Sequence, residues 1–86
     1  MTYYFGEEVT GVKTFNIQLN SINDVRSFVN IVSSYSFDID LTSGRYVVDA
    51  KSIMGIFSLD LSKPIKVEVF SDDCEQLMKE LEPFMV

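Results

Sequence analysis

Two short runs of alternating residues are separated by little more than Ser43-Gly44. In the first, Phe37, Ile39 and Leu41 alternate with Asp38, Asp40 and Thr42; the second runs from Tyr46 to Asp49. Alternation of this kind marks half-buried strands. A parallel crossover needs about a dozen residues or more, so so short a connection makes the pair an antiparallel hairpin. The remaining elements have to be fitted around that hairpin.

Upstream, Phe15, Ile17 and Leu19 alternate with Thr14, Asn16 and Gln18, which predicts another strand from Lys13. Ser21 then stands where a helix N-cap belongs, with Asp24 three residues on. Ile22, Val25, Phe28, Val29 and Val32 follow at spacings of three and four, the buried stripe of a helix ending near Tyr35. Downstream, Ser52-Ile-Met-Gly-Ile-Phe-Ser-Leu59 suits a short helix capped by Ser52. Gly55 inside it costs roughly 1 kcal/mol relative to alanine, which calls for close packing there. Pro64 bars continuation, and Ile65, Val67 and Val69 alternate as a fourth strand. Ser71, Asp72 and Asp73 open a last helix with a stripe of Cys74, Leu77, Met78 and Leu81, and Pro83 ends it. The order β-α-β-β-α-β-α predicts an α+β domain: a four-stranded antiparallel sheet with three helices on one face.

With 86 residues there is room for one domain. An apolar content of 47%, including seven Phe and four Tyr, supplies one core. Residues 1–12 lack periodicity and read as a lead-in, partly disordered, in which Tyr3, Tyr4 and Phe5 could pack on the domain; residues 13–86 are the domain itself. The start of the chain lacks the basic and apolar regions of a signal peptide, and no apolar stretch is long enough to cross a bilayer. The reading is a cytoplasmic protein.

The chain has no histidine, one cysteine and a net charge of −6. That charge argues against nucleic acid, which is bound chiefly through Lys and Arg on phosphates, and against anionic membranes. A basic or mixed-charge protein partner fits better. A single Cys74 forms no internal disulfide, and there is no Cys/His cluster for zinc. Cys74 has no histidine to activate it and lies on an apolar stripe, so it reads as core. Asp38 and Asp40 could share a metal, but a solvated strand face explains them. No glycine-rich loop cradles phosphate. We therefore expect no enzyme activity, metal or cofactor, and a protein that works by binding partners.

One segment carries a family likeness. Lys51-Ser-Ile-Met-Gly55, with its flanks from Asp49 to Leu59, strongly resembles the corresponding segment of HPr, the phosphocarrier of the bacterial sugar phosphotransferase system. Asp38-Ile-Asp-Leu41 resembles the second HPr strand at a matching distance, and the likeness spans residues 13 to about 83. It implies the open-faced β-sandwich of that family. HPr carries phosphate on a histidine in a Gly-x-His-Ala-Arg-Pro loop between the first strand and first helix. Here that connection reads Leu19-Asn-Ser-Ile-Asn-Asp-Val25, shorter and without histidine, arginine or proline, so Asn20, Ser21, Ile22 and Asn23 form a degenerate phosphoacceptor loop. Ser21 lies near the lost acceptor, but a serine phosphate monoester is no high-energy phosphoryl donor, and the cap role explains it.

Ser52 aligns with the regulatory serine that a dedicated kinase phosphorylates in many Gram-positive bacteria, although a cap serine needs no kinase to explain it. A phosphate at a helix N-terminus meets a favourable dipole, with Lys51 beside it. Ile53, Met54 and Phe57 match an exposed apolar patch that docks partner proteins in HPr, against the alternative that Ile53 and Phe57 are core. Ile56 and Leu59 are the better core candidates, and Arg26 is a candidate basic anchor or a solvated helix residue. The resemblance thus implies a regulatory, protein-binding member without phosphocarrier chemistry, with an HPr kinase or a transcription regulator as partner. Two other readings stand beside it. One is a phosphotransferase component using Ser21 or Asp24 as acceptor. The other is an oligomerisation module using the apolar helix, the chain being a monomer or weak homo-oligomer.

Overall fold

The alternation becomes a sheet in which one line of side chains crosses all four strands. The structure, a computed structural model, describes residues 12–86. Expectations for the lead-in, including Tyr3, Tyr4 and Phe5, fall on residues 1–11 and lie outside the described residues. The strands are β1 (Lys13–Ile17), β2 (Ile39–Ser43), β3 (Tyr46–Asp49) and β4 (Ile65–Val69). The helices are α1 (Ile22–Ser33), α2 (Ile53–Phe57) and α3 (Glu75–Leu81), followed by a 3-10 turn, Glu82–Phe84. Every pairing is antiparallel and the spatial order is β1-β4-β2-β3. Phe15 faces Val67, Val67 faces Leu41, and Leu41 faces Val48, a continuous row on the side that the helices cover. The neighbouring row, Thr14, Glu68, Asp40 and Asp49, lies on the opposite side.

The core unites that row's inner residues with the helix stripes. Ile17, Val25, Phe28, Val32, Leu41, Ile56, Ile65, Val67, Val69, Leu77 and Leu81 are fully buried, and no polar or charged residue is buried among the described residues. Cys74 is buried as well, and that burial is the main cause that pushes its thiol pKa up, away from a reactive thiolate. The hairpin turns through Gly44, whose φ of +62° suits glycine.

Several boundaries and the burial of one residue differ from the sequence reading. α1 stops at Ser33, short of Tyr35, because the Ser34 hydroxyl bonds the Ile31 carbonyl at 2.7 Å and competes with further helix. Ile22, expected on the buried stripe, is 61% exposed. It is the first helical residue, so there is no preceding turn for its side chain to lie over, and the buried stripe begins at Val25. β2 begins at Ile39; Phe37 sits just before it, only partly buried, its ring 5.3 Å from that of Tyr35. α3 starts at Glu75, because the Ser71 hydroxyl accepts from the Asp73 N–H and ties residues 71–73 into a turn.

Pro83 does stop α3, in the 3-10 turn. That turn brings Phe84 edge-on against Phe28, with centroids 6.3 Å apart. The chain then runs back along β1. No helix among the described residues is long and apolar enough to cross a membrane.

Candidate functional site

Ser52 caps α2 with extended backbone, and its Oγ accepts from the Gly55 N–H at 3.2 Å. The serine itself is exposed. Gly55 is closely approached: a Cβ there would lie 3.3 Å from Ser52 Oγ and 3.3 Å from the Val48 Cβ. α2 therefore sits directly on β3 at Val48, which fixes where the rest of its side chains go. Ile56 and, just beyond the helix, Leu59 are buried as expected. Ile53 is partly buried against the core, whereas Met54 is 76% and Phe57 42% exposed. A helix of five residues cannot turn every apolar side chain inward, and these two stand one helical turn apart.

The connection between β1 and α1 lies beside them. Ser21 Oγ accepts from the Asp24 N–H, and the Asp24 carboxylate accepts from the Asn20 N–H, both at 3.0 Å. This reciprocal pair caps α1. Asn20, Ser21 and Ile22 line a groove of about 700 Å³ together with Phe57, Leu61 and Ser62. Gln18 holds the far wall, its amide donating to the Leu61 carbonyl at 2.9 Å. The structure thus brings the connection between β1 and α1 and the Phe57 end of α2 to one surface. Gln18, Leu61 and Ser62 were not singled out from the sequence; a lone Gln at a strand end gives no sign that it will bridge to a loop.

Lys51 does not present a free cation next to Ser52, contrary to the sequence reading. Its ammonium donates to the main-chain carbonyls of Tyr35, at 2.7 Å, and Phe37, at 2.9 Å. Those carbonyls follow the end of α1, so Lys51 is a structural tie between that end and the start of α2. Arg26 is exposed on α1, and Asn23 is exposed in its first turn. Asp38 and Asp40 belong to no group of three or more ligands able to hold a metal among the described residues.

A fold of this topology, with an exposed apolar helix beside the first strand–helix connection, has known relatives. The family model described as "PTS HPr component phosphorylation site" matches residues 13–86. A crystal structure of HPr-C-His from Thermoanaerobacter tengcongensis is 32% identical, with a TM-score of 0.68, and the match covers 80% of this chain and 85% of that one. The phosphocarrier protein HPr from Bacillus anthracis str. Ames has the same fold, with a TM-score of 0.69 at 22% identity, and the match covers 90% of this chain and 100% of that one. No curated protein matches the chain.

Four antiparallel strands under three helices, in this order, define the open-faced α+β sandwich of HPr proteins. The chain belongs to the HPr family. Proteins of this family are phosphocarriers of the phosphotransferase system, not enzymes, and they interact with other proteins of that system. This member contains no histidine.

Proposed function

We propose that this HPr-family protein is a cytoplasmic regulatory module that binds a protein partner through α2 and the groove beside it, and that it carries no phosphate on histidine. The observation that supports this most directly is the exposure of Met54 and Phe57 on the short helix that the exposed Ser52 caps. Met54 and Phe57 on α2 and Ile22 across the groove are large and unsatisfied in water. Apolar surface that a small domain leaves uncovered in one place commonly marks an interface, and a methionine adapts to more than one partner surface. Ser52 stands at the start of the same helix, so a phosphate there would add about −2 charge beside the patch. In this reading the charge selects between partners, with an HPr kinase as writer and a transcription regulator as reader.

The test uses the full chain with an HPr kinase and ATP. Mass spectrometry is expected to find one phosphate, absent from the Ser52→Ala variant. Binding to a catabolite-control transcription factor is expected to follow phosphorylation and to weaken about tenfold in Met54→Ser and Phe57→Ser, whose side chains are exposed enough to leave the core intact. Absence of phosphate on Ser52 together with absence of binding would sink the reading.

A further inference from the structure

The two edges of the sheet are finished differently. Along β1 the chain's last residues lie as a cover: the Gln18 N–H donates to the Phe84 carbonyl at 2.8 Å, the Val86 N–H to the Asn16 carbonyl at 3.2 Å, and Ile17 and Met85 form an antiparallel bridge. At the other end of the order, among the described residues, β3 pairs with β2 alone. The alternation of antiparallel pairs settles which of its groups look outward. Ala50 N–H donates to the Ile39 carbonyl at 2.9 Å, so that opposed pair is hydrogen-bonded. Asp49 opposite Asp40 is then a non-bonded pair, Val48 opposite Leu41 a bonded one, and Val47 opposite Thr42 again non-bonded. The N–H and C=O of Val47 and the N–H of Asp49 therefore face away from the sheet. The Asp49 carbonyl is already engaged by the Ser52 N–H at 3.0 Å.

The side chains at this edge are also uncovered, Tyr46 being 67% and Val47 60% exposed. Natural sheets protect such an edge with short strands, charged side chains, proline or a bulge; Tyr46-Val-Val-Asp49 is short and carries one charge, Asp49, but has no lysine or proline. Arg45 immediately precedes the strand and is exposed. Lys66–Glu68 is the ion pair among the described residues, so Arg45 has no carboxylate within ion-pair distance there.

We propose that the β3 edge pairs with the β3 edge of a second copy of this chain, antiparallel about a two-fold axis at Val47, joining two four-stranded sheets into one. Centred there, each Val47 N–H donates to the partner's Val47 carbonyl. Tyr46 lies opposite the partner's Val48, and Arg45 opposite the partner's Asp49, once on each side of the axis. The segment is thus complementary to itself in charge as well as in hydrogen bonding, as a two-fold contact requires. So short an edge makes the association weak and reversible. It uses neither Ser52 nor the groove, so it stands or falls separately from the function proposed above.

Sedimentation equilibrium of the full chain across micromolar to millimolar concentrations tests it. A monomer–dimer equilibrium that weakens with added salt is expected. Val47→Lys, which changes only an exposed side chain, should weaken the dimer about tenfold or more. Arg45→Asp and Asp49→Arg should each be monomeric alone, because each places like charges opposite one another. Mixed in equal amounts they should regain the dimer, since each reversed charge then meets its opposite. Asp49→Arg also removes the bond that the Asp49 carboxylate accepts from the Lys51 N–H, so circular dichroism melts accompany every variant. A wild-type chain that remains monomeric throughout, a dimer indifferent to Val47→Lys, or a mixture of folded variants that stays monomeric would each overturn the proposal.

Discussion

The ammonium of Lys51 ends on two main-chain carbonyls, those of Tyr35 and Phe37, which belong to a segment well separated from it in sequence. Bonds from a charged donor in a partly buried setting outweigh ordinary ones, so Lys51→Met, which keeps the aliphatic stem, is expected to cost about 2 kcal/mol in urea unfolding. A stability unchanged by that substitution would mean that water replaces the two bonds at no cost. This role was not legible in the sequence, where Lys51 is adjacent to Ser52 and reads as a cation for its phosphate. Adjacency along a chain says little about direction, and a carbonyl leaves no trace in the residue type that bears it. Ile22 shows the same gap. Its spacing from Val25 fits the stripe, but spacing does not reveal that the core ends one turn later. Ser21, in contrast, was legible as a cap because its chemistry is local, with Asp24 three residues on.

At the level of elements, α2 is too short to persist on its own, since isolated helices shorter than about 12–15 residues are marginal in water. Its existence depends on packing against β3, and Gly55 is where the two approach. Alanine would gain roughly 1 kcal/mol of helix propensity there. It would also press on the Val48 Cβ, which a paired strand holds in place, and on the capping hydroxyl of Ser52. Overpacking of this kind costs about 1–3 kcal/mol, so Gly55→Ala is expected to lose about 1 kcal/mol net. A thermal melt above that of the wild type would show that the strand gives way. The hairpin, β4 and the middle of each helix were legible because their periodicities come from a single buried face. The ends were not, because Ser34 and Ser71 redirect the backbone through hydroxyl bonds that periodicity does not register.

Across the whole molecule, the face of the sheet opposite the helices sets Glu68, Asp40 and Asp49 side by side on three adjoining strands. Partial burial, then the charges of Asp49, Glu68 and Asp38, hold the Asp40 carboxyl above its ordinary range. A carboxyl raised in the folded state binds its proton there more readily than in the unfolded chain. Its charge therefore destabilises the fold at neutral pH, and stability recovers as pH falls through the folded pKa. Asp40→Asn is expected to raise stability by about 0.5 kcal/mol at neutral pH. Urea titrations at successively lower pH should show that advantage shrinking through the carboxylate range; an advantage that does not change with pH would refute the electrostatic cause. The strip of chain along β1 bears on how the fold is reached. One side of that first strand is taken by β4 and the other by residues 84–86, so neither neighbour exists when β1 leaves the ribosome. At about 5–20 residues per second, β1 waits several seconds for both partners. Its apolar residues Phe15 and Ile17 must stay solvated or chaperoned for that interval, because both pairings of β1 are made with segments synthesised well after it.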